Sequence, residues 1–185
     1  MAYNIIITNT IHRLLEDELK NNPYIIFEAP KDEKDISEDI WSKILEPFLK
    51  LDCYYFSTFG LHSEKLHDMI DDLAFDLFPF LHNKNLSYES DFEEITHSWD
   101  ILAGRLITIW FDELDDDIDN LLNDLYFRYQ EIDGKYHSII FLKNLVNPSD
   151  SEYLFKYSCQ DLNELKPVLM RSSGSFLIDI GVNIE

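Results

Sequence analysis

Short apolar runs alternate with longer amphipathic stretches from residue 24 to residue 142, and that alternation limits the fold more than anything else in the chain. The runs at 24–27, 51–59, 105–111 and 136–142 are rich in Ile, Phe, Tyr and Thr and read as strands. Between them, apolar residues recur at helical spacing. Ile40, Trp41, Ile44, Leu45, Phe48 and Leu49 form one stripe, and Leu66, Met69, Ile70, Leu73, Phe75 and Leu77 a second. Leu114, Ile118, Leu121, Leu122 and Leu125 form a third. Strands interleaved with helices predict an α/β layered fold with a central, at least partly parallel sheet flanked by helices.

Flanking signals refine the elements. Ser37 and Ser63 are placed as helix N-caps, Pro47 is positioned to kink the first of these helices, and Pro79 closes the second. Residues 4–8 are a β-branched run expected to be a strand. Ile11, Leu14, Leu15 and Leu19 then predict a helix with Thr10 as its cap and Pro23 beyond its end. Residues 82–98 are polar and acidic and read as a loop or insertion. Asp133-Gly134 is a turn, residues 161–170 a short helix broken by Pro167, and residues 175–181 a last strand. The expected organisation is a single α/β domain over 1–185.

Charge narrows the choice of partner. Fifteen Lys and Arg stand against 36 Asp and Glu, a formal net charge of -21. A field of that sign repels nucleic acid and anionic membrane and draws basic partners inward. The chain is nonetheless built to fold, since 45% of it is hydrophobic and it carries 13 Phe and 10 Tyr, whereas disordered acidic chains lack aromatics. Cys53 and Cys159 are isolated, giving neither a disulfide framework nor a zinc pattern, and read as buried reduced thiols. The start Met1-Ala2-Tyr3-Asn4 has no basic region before an apolar run, and no stretch approaches the ~20 apolar residues of a membrane span. A cytoplasmic location is therefore expected.

Two acidic constellations could carry function. On a helix, Glu64, His67, Asp68 and Asp71 fall at i, i+3, i+4 and i+7, with Asp72 adjacent. A His and three carboxylates on one face could hold a divalent cation or form an acid/base pair, although the two-His spacing of a zincin helix is missing. The competing reading is a solvated face, or a structural His–Asp pair. The second constellation is Asp112, Glu113, Asp115, Asp116, Asp117 and Asp119. A calcium loop would need alternating ligands and a Gly at its turn, and neither is present. Acids at a helix N-terminus favour the dipole, but that effect does not need so many. The excess points to a docking surface for a basic protein.

Other chemistry is poorly represented. No glycine-rich phosphate loop and no Gly-x-Ser-x-Gly occurs, so no cofactor is expected, and no metal either. Cys53 and His67 could be paired as nucleophile and base, but Cys53 has no nearby basic residue in sequence to lower its pKa. Tyr126, Phe127 and Tyr129 around Arg128 read as core and boundary rather than as a binding patch.

The stretch Leu51-Asp52-Cys53-Tyr54-Tyr55 through Gly60, Glu64, His67-Asp68 and Ile70-Asp71, followed by Thr108-Ile109-Trp110-Phe111-Asp112-Glu113, resembles a small, functionally uncharacterised bacterial α/β domain family. That family has a Cys-x-Tyr strand, a Gly-x-x-x-Glu-x-x-His-Asp helix start and a Thr-x-Trp strand before an acidic helix. Phe111 departs from it, standing where a polar residue is expected. The resemblance covers about a third of the chain and implies the same α/β order but no activity. In size and acidity the chain is also similar, as a class, to the immunity proteins of bacterial toxin systems.

The leading expectation is thus a cytoplasmic acidic binding protein that occludes a basic partner such as a toxin nuclease. Its partner-binding residues would be Asp112, Glu113, Asp115, Asp116, Asp117, Asp119, Glu64, Asp68, Asp71 and Asp72. The alternatives are an enzyme using His67 with Asp68, Glu64 or Asp71, and a structural or regulatory component of a bacterial assembly. The oligomeric state stays open.

Overall fold

The computed structural model describes residues 3–14, 16–20, 23–81, 83–111, 119–120, 122–123, 126, 138–147 and 151–166. Its strands are β1 (Tyr3–Thr8), β2 (Tyr24–Glu28), β3 (Tyr55–Phe59), β4 (Ile107–Phe111), β5 (Ile139–Leu142) and β6 (Leu154–Cys159). Its helices are α1 (Glu16–Lys20), α2 (Glu38–Lys50), α3 (Ser63–Leu77) and α4 (Phe92–Ala103). The strands form one sheet in the order β4-β3-β2-β5-β1-β6. Every neighbouring pair is parallel except β1 with β6, which is antiparallel. The expected α/β layered fold with an at least partly parallel sheet is present, and most of its strands are parallel.

The chain order dictates the two layers. From β1 to β2, β3 and β4 every crossover runs in the same direction across the sheet, so right-handed connections put α1, α2 and α3 on one face. Trp41, Leu45 and Phe48 of α2 and Leu66, Ile70 and Ala74 of α3 are buried there against Ile25, Phe27, Phe56 and Ile140. Phe27 is central to this layer, with the Trp41 ring 5.5 Å away and the Phe48 ring 5.8 Å away, both edge-on. The return from β4 to β5 runs the other way, and Leu122 on that connection is buried on the opposite face with Ile5, Ile26, Phe141 and Leu162. Two covered faces explain why Ile5-Ile6-Ile7 and Tyr24-Ile25-Ile26-Phe27 are continuous apolar runs rather than alternating ones.

Several expectations are corrected. The loop or insertion read over 82–98 is helical from Phe92, where α4 begins; only the preceding residues from Asn83 to Asp91 lack a helix or strand. Among the residues of α4 only Ile95 and Leu102 are buried, a face too narrow to stand out among Glu93, Glu94, Thr96, His97 and Ser98. Strand β6 lies in a segment with no strand expectation. The helix expected over 11–19 shrinks to Glu16–Lys20. The Thr8 hydroxyl accepts from the Thr10 backbone N–H at 3.1 Å, and Leu14 N–H closes a single turn on Ile11 at 2.9 Å. Such local bonds compete with a helix. The first half of the 51–59 strand is instead a turn, in which Asp52 adopts φ 60°. Pro47 lies inside α2, which continues past it to Lys50. Over 161–170 the described part is a 3₁₀ turn, Leu162–Leu165, opened by an Asp161 capping box. The strand expected over 175–181 lies outside the described residues.

Candidate functional site

The site forms where α3 packs on β4. Gly60 ends β3 at φ 102°, a conformation L side chains rarely adopt. Its carbonyl accepts from Ser63 N–H at 3.0 Å, and the buried Thr58 hydroxyl donates to Ser63 O at 2.9 Å. These bonds fix the first turn of α3 to the end of the strand. The N-cap is His62 rather than the expected Ser63, which is the first helical residue.

From this start the helical spacing turns His67 inward. Its side chain is only 12% exposed, and its ring lies 4.7 Å from the Trp110 ring. His67 Nε2 is 2.9 Å from Thr108 Oγ1, and that hydroxyl donates to Asp71 Oδ1 at 2.8 Å. A hydroxyl has one proton, so Thr108 accepts from His67, and Nε2 carries the hydrogen. His67 Nδ1 stands 3.2 Å from Asp68 Oδ1, a hydrogen bond when the ring holds its second proton. Both ring nitrogens therefore face groups of the protein itself. Among the described residues no three His, Cys, Asp or Glu side chains converge on a possible metal position.

The same spacing turns the acids outward. Glu64, Asp68 and Asp72 are exposed, and Asp71 is half-buried by its bond to Thr108. Asp76, absent from the sequence expectation, extends the row, so exposed carboxylates fall at i, i+4, i+8 and i+12 along α3. The signal was in the spacing, one further turn beyond the Asp71-Asp72 pair. Lys65 is the one Lys or Arg on this helix, and Glu33 takes it in an ion pair at 2.8 Å. Trp110 on the adjoining strand is 43% exposed.

Of the second acidic constellation, Asp112, Glu113, Asp115, Asp116 and Asp117 lie outside the described residues. Asp119 is exposed and holds Lys166 Nζ through both carboxylate oxygens, at 2.8 and 2.7 Å. Tyr126 is exposed, while Phe127, Arg128 and Tyr129 lie outside the described residues. Cys53 is buried, its thiol donates to Leu19 O at 3.3 Å, and burial pushes its pKa up to about 12. It is the opposite of an activated nucleophile.

The carboxyl end of the sheet holds a further polar arrangement that sequence reasoning missed. Lys143, just past β5, is 4% exposed, and burial lowers its pKa against the opposing pull of Glu28. Glu28 also accepts from Asn144 N–H at 3.1 Å. Beside the end of β1, a cavity of about 560 Å³ is walled by Leu14, Ile44, Pro47 and Leu145. At its rim Thr10 Oγ1 lies 2.7 Å from His12 Nδ1, and His12 Nε2 lies 3.1 Å from Glu152. These residues come from opposite ends of the chain, so only the pairing of β1 with β6 brings them together.

No described helix is long and apolar enough to cross a membrane. No family model matches the chain, and no curated protein or solved structure is significantly similar to it.

Proposed function

We propose that this chain is an acidic binding protein that neutralises a basic partner by occlusion, in the manner of a cytoplasmic immunity protein against a toxin nuclease. The observation that carries the reading is the exposed row Glu64, Asp68, Asp72 and Asp76 on α3, the helix whose His67 ring meets the exposed Trp110. Like charges four residues apart on a helix destabilise it by about 0.2–0.5 kcal/mol per pair. Only Glu64, in the first turn, gains from the helix dipole; the spacing of Asp68, Asp72 and Asp76 works against the helix, and a role in recognition accounts for it. In a complex the carboxylates would pair with Lys and Arg side chains that otherwise hold phosphates, with Trp110 as the central anchor. The Asp112 to Asp117 acids belong to the same proposal.

The test is to capture the partner from the source cell with the tagged chain, identify it by mass spectrometry, and measure association rate against ionic strength. For E64Q/D68N/D72N/D76N the expected result is a rate about ten-fold lower at low salt and a flatter salt dependence, because clustered charge raises encounter rates and salt screens it over about 8 Å. Unchanged rates and slopes would remove the α3 row from the interface. A single substitution should change affinity by about 1 kcal/mol or less.

The contact of His67 with Thr108 and Asp71 favours a second reading, an enzyme using His67 as acid or base. Its weakness is that the ring nitrogens face internal partners.

A further inference from the structure

Among the described residues, the strand that holds this site forms an edge of the sheet, where β4 pairs with β3 alone. Ile107 N–H bonds Tyr54 O at 2.9 Å. In a parallel pair a residue directs its N–H and C=O to the same neighbour, and the next residue directs them away. The register Tyr55↔Ile107 to Phe59↔Phe111 then turns Ile107, Ile109 and Phe111 toward β3. The backbone groups of Thr108 and Trp110 point out of the sheet. These are the same two residues whose side chains meet His67.

Natural sheets guard such edges with charge, proline or a bulge. At the other end of the described sheet β6 follows that rule, since it carries an exposed Lys156 and Ser158. Strand β4, Ile-Thr-Ile-Trp-Phe, carries no charge and no proline. Its outward backbone lies alongside the helix that bears the acidic row.

We infer that β4 receives an extended segment of the basic partner as an additional strand of the six-stranded sheet, with alternate Lys or Arg side chains lying along the α3 carboxylates. This rests on the acidic-binding reading and gives it a docking mode. Main-chain bonds to Thr108 and Trp110 supply register, and every second side chain of the incoming strand falls on the α3 face. Charge selects the occupant: at a net -21 a second copy of this chain would repel.

The probe is an end-blocked peptide of alternating lysine and valine, about six residues long, the usual length of a strand. Amide hydrogen exchange is followed on the full chain with and without it. The Thr108 and Trp110 amides should exchange freely alone and slow at least ten-fold with peptide. Ile107 and Ile109, already bonded inward, should change little. W110P, which removes an outward N–H, should abolish the protection, whereas W110A should retain it at higher peptide concentration. Slow exchange of both amides in the isolated chain, through its own segments or a second copy, would overturn the proposal. So would absence of peptide binding, or binding that leaves those amides unprotected. In that last case the acidic-binding reading survives if E64Q/D68N/D72N/D76N abolishes binding. Protection at Thr108 and Trp110 that ignores both salt and that variant would instead support the strand and remove the acidic reading. The wild-type exchange data decide the matter even if W110P fails to fold.

Discussion

Thr108 on β4 ties His67 on α3 to the sheet, its Oγ1 2.9 Å from Nε2 while its own proton goes to Asp71. A hydroxyl that accepts from one side chain and donates to another on the same helix locks both rotamers. The pair thus joins the edge strand to the helix that carries the acidic row.

Thr108→Val keeps the shape and removes both bonds. The expected loss is about 1–3 kcal/mol, because Asp71 and the His67 N–H lose a part-buried partner. Urea unfolding measures it, and Thr108→Ser should recover most of it. A Thr108→Val protein as stable as the wild type would mean that the network does not hold α3 on β4.

His67→Ala should leave partner binding within about 1 kcal/mol of wild type if the protein works by its exposed carboxylates, since the ring is turned inward and reaches the interface only through its packing on Trp110. The check is a binding isotherm beside a circular dichroism spectrum. Loss of turnover on a substrate with the fold intact would place the enzyme reading first.

Gly60→Ala should destabilise by about 1–3 kcal/mol through backbone strain at φ 102°. Space is not the cause, because an added Cβ would meet nothing nearer than Ala29 N at 3.8 Å. Thermal melting gives the magnitude. Amide exchange should show the first turn of α3 loosening, since Ser63 is bonded to Gly60.

Cys53 makes alkaline stability fall. Its thiol is raised from the ordinary 9.0 to about 12 by burial, with Asp52 adding to the effect. The unfolded thiol loses its proton near pH 9 while the folded one keeps it. The contribution is fully present below pH 9 and is lost as pH rises toward 12, at about 1.4 kcal/mol per pH unit. Urea titrations between pH 8 and 11 should give a shallower decline for Cys53→Ala than for wild type. At pH 8 a thiol reagent should label Cys53 only on unfolding.

Legibility followed burial. Stripes such as Trp41, Leu45, Phe48 and Leu49 repeat at a helical period because one wide face of α2 is buried, and they could be read directly. Helix α4 buries little more than Ile95 and Leu102, and β6 covers one edge while exposing Lys156 and Ser158, so neither produced a strong periodic signal. At the site, His67, Asp68 and Asp71 were legible as one helix face. Thr108 and Trp110 were visible only as members of a strand, because their meeting with His67 depends on which strand α3 covers.

By itself, the sequence determined the α/β class, the sign and size of the field, and the placement of His67 among carboxylates, since these depend on composition and local period. Tertiary structure alone decided the strand order, with β5 inserted between β2 and β1. It also decided that β4 is an edge among the described strands, and that His67 turns in while Glu64, Asp68, Asp72 and Asp76 turn out. Those outcomes come from pairings between distant segments, selected by the joint burial of two sheet faces. No local pattern encodes which strands become neighbours.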